Sequence, residues 1–136
     1  MPFVAARARG VDVKILVPGP FHNKPAVRRA SRRTWARLLP AEVELYEHQR
    51  TTVHAKVVIA DGIVTMVGTI NFDPRSFAFN TECAAMAVDA DLAAQAARAF
   101  ASDVTASRRV VADDLGRRSL VDRALDAVCY WPRAQL

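Results

Sequence analysis

His54 and Lys56, two residues apart in an apolar, β-rich run, are the side chains best spaced to act together. On a strand, residues i and i+2 share a face, so imidazole and ammonium project side by side. Val53, Ala55 and Val57 then turn the other way, into packing. Burying such a pair is unfavourable unless an anion lies between them. Downstream, Gly68-Thr69-Ile70-Asn71 offers a glycine that permits close backbone approach, a hydroxyl donor and an amide donor. The set reads as a pocket of donors for a tetrahedral anion. His22, in a Pro-rich turn, and His48, outward at a strand end, stand without such company and read as solvated.

The surrounding sequence supplies the elements that hold these residues. Residues 53–60 and 63–67 are two β-rich runs meeting at Asp61-Gly62, a strong hairpin signal. Residues 11–17 alternate, become fully apolar and stop at Pro18-Gly19-Pro20, as a strand entering a sheet does. Gly10, just before, reads as the residue closing a short helix. Val27, Ala30, Thr34, Trp35, Leu38 and Leu39 form a 3.6-residue stripe predicting a helix over 23–39. Arg28, Arg29, Arg32, Arg33 and Arg37 lie on its opposite face, a phosphate or lipid patch in one reading and, in the preferred one, a solvated face whose long stems cover apolar surface. Residues 43–48 and 82–88 read as strands, and Asp89 and Asp91 as caps for a helix bearing Leu92, Ala96, Phe100 and Val104. A last helix over 113–130 is expected to turn Leu115, Leu120, Val121, Ala124, Leu125 and Val128 inward. Its Arg117, Arg118 and Arg123, with Tyr130-Trp131 at its end, also suit an element lying at a membrane interface. The order of elements predicts an α/β fold, a mixed β-sheet flanked by α-helices.

At 136 residues the chain has the length of one domain, and its 51% apolar content excludes a disordered segment. No apolar run approaches the roughly 20 residues of a membrane span, and the first residues lack a secretory-signal pattern. Cys83 and Cys129 have no metal-ligand spacing and read as buried or spare thiols. The net charge of +5 favours an anionic partner: phosphate, nucleic acid or a lipid surface.

The spacing His-x-Lys, four residues, Asp61, six residues, Gly-Thr-x-Asn resembles the HKD motif of the phospholipase D superfamily, with Thr69 where the family usually has serine. The run from Asn71 to Glu82, including Arg75, Ser76 and Asn80, resembles the stretch after the second motif of cardiolipin synthases. Gly10 to Pro18 resembles the strand opening their C-terminal half, and Leu45 to Gln49 the strand before the motif. Glu42 replaces a common glycine there, which questions a turn.

The resemblance implies a mixed-sheet α/β half of a phospholipase D fold. It implies phosphodiester chemistry in which one motif histidine attacks phosphorus, forming a phosphohistidine, and the other protonates the leaving alcohol. His54 matches the histidine that acts as general acid and base. Lys56, Gly68, Thr69 and Asn71 match the phosphate cradle, and Glu82 the carboxylate orienting the histidine. Asp61 belongs to the motif, although an Asp-Gly turn accounts for it structurally. For Arg75, Ser76 and Asn80, anchoring of the loop is the preferred role. No metal or other cofactor is implied. Residues 1–112 are expected to be a one-motif domain lacking part of its N-terminal side, and 113–136 a C-terminal amphipathic helix. The expected substrate is a phosphatidylglycerol-like phospholipid at a bacterial membrane, met peripherally. The expected partner is a second motif-bearing domain or a second copy of the chain. The alternatives are a homodimeric single-motif phosphodiesterase or nuclease acting on nucleic acid, and an inactive truncated fragment.

Overall fold

Helix α1 (Pro2–Ala8) stops where Gly10, at φ +86°, lets the chain turn back: Gly10 N–H donates to Arg7 O and Val11 N–H to Ala6 O. These two bonds satisfy carbonyls that a helix end would otherwise leave open. The computed structural model describes residues 1–21, 25–71, 80–116 and 119–130. The expectations for His22, Arg75, Ser76, Arg117, Arg118 and Trp131, and for the side chains of Leu120, Arg123, Cys129 and Tyr130, lie outside the described residues. The chain forms two units, one of residues 1–53 with 106–134 and one of residues 54–105.

In the first unit, β1 (Lys14–Pro18) runs parallel to β2 (Glu44–His48), and β2 pairs antiparallel with β6 (Ser107–Val110). Helix α2 (Pro25–Leu38) makes the crossover from β1 to β2. Trp35 of α2 packs with Leu45 and Val110, and Ile15, Val17, Leu39 and Leu115 close around them. The Glu47 side chain is buried on this sheet. Arg28 Nε donates to its Oε1 at 2.8 Å and Arg108 Nη2 to its Oε2 at 3.0 Å. Two guanidiniums on one carboxylate make its burial tolerable and lock α2, β2 and β6 in register. The α2 arginines expected in solvent are thus largely engaged: Arg29 reaches Asp122 and Asp126, and Arg32 reaches Asp126.

No apolar alternation marks β6, and its presence overturns the expected placement of His48. That ring is 5% exposed, with Nδ1 3.4 Å from Ser107 Oγ of β6 and Nε2 3.5 Å from Thr51 Oγ1. The expected last helix is two, α4 (Ala112–Gly116) and α5 (Leu120–Tyr130). Ser119 caps α5 by accepting the Asp122 N–H at 3.1 Å. The inward stripe expected on α5 is also corrected: Val121, Leu125 and Val128 are 69%, 45% and 69% exposed. Ion pairs from Asp122 and Asp126 to α2 turn that stripe outward.

The second unit is an antiparallel meander of β3 (Val57–Ala60), β4 (Val64–Gly68) and β5 (Ala84–Val88), followed by α3 (Ala90–Thr105). Asp89 caps α3 by accepting the Leu92 N–H at 2.7 Å. Asp61 and Gly62 both take positive φ, +53° and +67°, in the three-residue β3–β4 turn, where Ile63 N–H donates to Ala60 O at 3.1 Å. The mixed three-stranded sheet, the meander and the flanking helices give the expected α/β class. No helix among the described residues is long and apolar enough to cross a membrane.

Candidate active site

The hairpin register builds the site. Val57 pairs with Val67, and one step further Gly68 N–H donates to Lys56 O at 3.1 Å. This puts the backbone of Lys56 beside Gly68, the glycine that ends β4. His54 and Lys56 precede β3 rather than lying within it, yet their side chains meet. Lys56 Nζ is 2.9 Å from both imidazole nitrogens and 2.7 Å from His54 O. Equal distances to the two nitrogens set the ammonium over the ring face, since an in-plane position would collide with the carbon between them. His54 is exposed and Lys56 half-buried, so a ligand can reach both.

The second cluster gathers around Glu82. Thr69 Oγ1 donates to Glu82 Oε2 at 2.5 Å, and Asn80 Nδ2 donates to Glu82 Oε1 at 3.1 Å. Thr69 Oγ1 in turn accepts the Cys83 N–H at 3.1 Å, and Thr69 N–H donates to Cys83 O at 2.9 Å. The single proton of the Thr69 hydroxyl is therefore directed at a carboxylate. Without a ligand, Thr69 is a link to Glu82 rather than a free phosphate donor. Asn71 is exposed.

Gly68 is required by close approach, as the sequence suggested, but the approaching backbone is that of β5. A Cβ there would stand 2.5 Å from Cys83 O and 2.8 Å from Ala84 Cα. Asp61, grouped with the catalytic residues by the motif, occupies the turn at the far end of the hairpin. It is five residues, or ~16 Å of strand, from Lys56. Its backbone, at φ +53°, forms part of that turn. Asn80 is the residue whose contact the sequence missed, although Asn80 and Glu82 stand at the i, i+2 spacing that brings strand neighbours to one face. Among the described residues, no group of three or more His, Cys, Asp or Glu is placed to hold a metal ion.

Residues 2–104, a span carrying both clusters, match the family described as "Cardiolipin synthase, PLD-like domain". The chain belongs to that family. This PLD-like domain is 36% identical to cardiolipin synthase 2 of Bacillus cereus over 91% of its length, and 32% identical to cardiolipin synthase A of Proteus mirabilis over 93%. It spans about a quarter of the length of each, 24% and 26%. Among solved structures it is similar to Nuc of Salmonella typhimurium, a phospholipase D family member. The TM-score is 0.71 at 25% identity, over 80% of this chain and 70% of that one.

Proposed function

We propose that this PLD-like domain supplies one of two histidines to a phosphatidyl-transfer site acting on a phosphatidylglycerol-like phospholipid at a lipid surface. The observation that carries the proposal is the His54–Lys56 contact, inside a span that belongs to a cardiolipin synthase family. One histidine attacks phosphorus: an N–P bond forms, the P–O bond to the leaving alcohol breaks, and the other histidine protonates that oxygen. An acceptor alcohol, deprotonated by the second histidine, then attacks the phosphohistidine and frees the first. His54 takes the acid–base role. Lys56 and Asn71, with the Gly68–Thr69 segment, stabilise charge on the non-bridging oxygens, and Glu82, held by Thr69 and Asn80, orients the imidazole. The second motif comes from another domain or a second copy. Residues 1–112 are the one-motif catalytic half in this reading, and 113–136 its C-terminal amphipathic segment.

Headgroup exchange on phosphatidylglycerol vesicles tests this reading, with oligomeric state measured alongside. Turnover is expected only where two motifs meet, and His54→Ala is expected to lower it by about 10³-fold or more. Robust turnover by a strictly monomeric sample would refute the two-histidine site.

One observation favours a second reading, a homodimeric single-motif phosphodiesterase. The match to Nuc extends over 70% of that chain, against about a quarter of each cardiolipin synthase. Dimerisation with His54-dependent cleavage of nucleic acid and no lipid turnover would decide for that reading.

A further inference from the structure

Helix α5 is docked the wrong way round for a core element. Its carboxylates point at the protein, with Asp122 Oδ1 3.2 Å and Asp126 Oδ1 3.5 Å from Arg29, and Asp126 Oδ1 3.7 Å from Arg32. Val121, Ala124, Leu125 and Val128, at i, i+3, i+4 and i+7, form a continuous exposed stripe along the other side. That spacing marks an apolar helix face, and no charged residue interrupts it.

We infer that this stripe is a docking surface for an anionic lipid bilayer, with α5 lying in the interface plane. Charge favours that occupant. The two acidic residues of α5 are neutralised against α2, while the sequence carries Arg117 and Arg118 just before the helix and Arg133 just after it, in a chain of net charge +5. Cations flanking an apolar stripe suit anionic headgroups above an acyl boundary. Area argues against a second copy. Eleven residues make a helix only ~16 Å long, and three large side chains offer roughly 300 Å². Two such stripes would bury about half of the ~1,200 Å² at which specific interfaces begin. The ion pairs to α2 fasten the helix to the fold, so the chain would be carried to the surface with it.

The inference rests on the reading that the substrate lies in a lipid surface, and the test reads binding without turnover. The full chain is floated with vesicles of phosphatidylglycerol and phosphatidylcholine, and with phosphatidylcholine alone. Wild type is expected to float with the anionic vesicles and the triple variant V121S/L125S/V128S to lose tenfold or more of that partitioning. Ala124→Leu, which widens the stripe, is expected to gain severalfold, and it decides the matter should the triple variant misfold. Three results would each overturn the inference: wild type that ignores anionic vesicles, stripe variants that float as wild type does, or a dimer that the triple variant dissolves while flotation stays unchanged. Flotation that follows the stripe in a chain that turns over no phospholipid upholds the docking surface and counts only against phosphatidyl transfer.

Discussion

Residues 1–53 and 106–130 bury Trp35, Leu45 and Val110 around a fully enclosed Glu47. Over residues 54–105 the buried side chains among those described are Thr65 and Ala93, while Met86 and Val88 are 70% and 68% exposed. The motif residues stand on the second, thinly packed unit. Their geometry is held by the β3–β4–β5 ladder, a tight turn and the Thr69–Glu82–Asn80 bonds rather than by a deep core. The motif side chains, proposed above to meet the substrate, are placed here by backbone register, while most of the packing lies elsewhere.

Glu47→Ala should strike the first unit hardest. It leaves Arg28 and Arg108 without their shared carboxylate and opens a cavity between α2 and β6. The expected loss is about 3 kcal/mol, toward the low end for a broken buried pair because Arg108 can reach water. Urea unfolding followed by the fluorescence of buried Trp35 measures it, and an unchanged midpoint would break the comparison. Gly68→Ala should act on the second unit, at about 2 kcal/mol, by forcing β5 away from β4. Amide exchange should speed up in β4 and β5 while β2 and β6 keep their protection.

Thr65→Val should stabilise the second unit by about 1 kcal/mol. The Thr65 hydroxyl is buried with no hydrogen-bond partner among the described residues, and its removal lifts that penalty. A melting temperature that falls would show the hydroxyl to be satisfied. The smallest effect is expected at alkaline pH. Tyr46 donates to Glu44, and this bond, with burial second, raises its pKa above the ordinary tyrosine value. A raised folded pKa gives stability that is present below the unfolded value near 10 and lost as pH rises through the folded one. Tyr46→Phe should flatten that alkaline limb and change little at neutral pH, as pH-dependent urea midpoints will show.

Local chemistry was legible in the sequence where one or two residues decide it: the Asp61-Gly62 turn, the Gly10 helix end and the Asp89 cap. The β3–β4 hairpin and its attached histidine and lysine followed from the same short-range signals. What escaped depends on partners distant in sequence. β6 reads as Ser107-Arg108-Arg109-Val110, a charged run whose strand character comes from pairing with β2, and missing it left His48 in solvent and Glu47 unremarked. The orientation of α5 is not legible because an apolar stripe says nothing of the arginines on α2 that hold the opposite face. Glu42, in place of a family glycine, nevertheless adopts φ +59°, and Arg7 donates to its carboxylate at 3.3 Å. The expected turn survives the substitution.

The hairpin also limits how the motif can change length. Four residues separate Lys56 from Asp61 and six separate Asp61 from Gly68, and the pairs Val57 with Val67 through Ala60 with Val64 account for that difference around the turn. Inserting or deleting a residue on one strand would slip the ladder and swing one arm's side chains to the opposite face. A matched change at the tip, one residue on each strand, leaves Lys56 beside Gly68. The motif's intervals thus act as a ruler that sets where Lys56 meets Gly68.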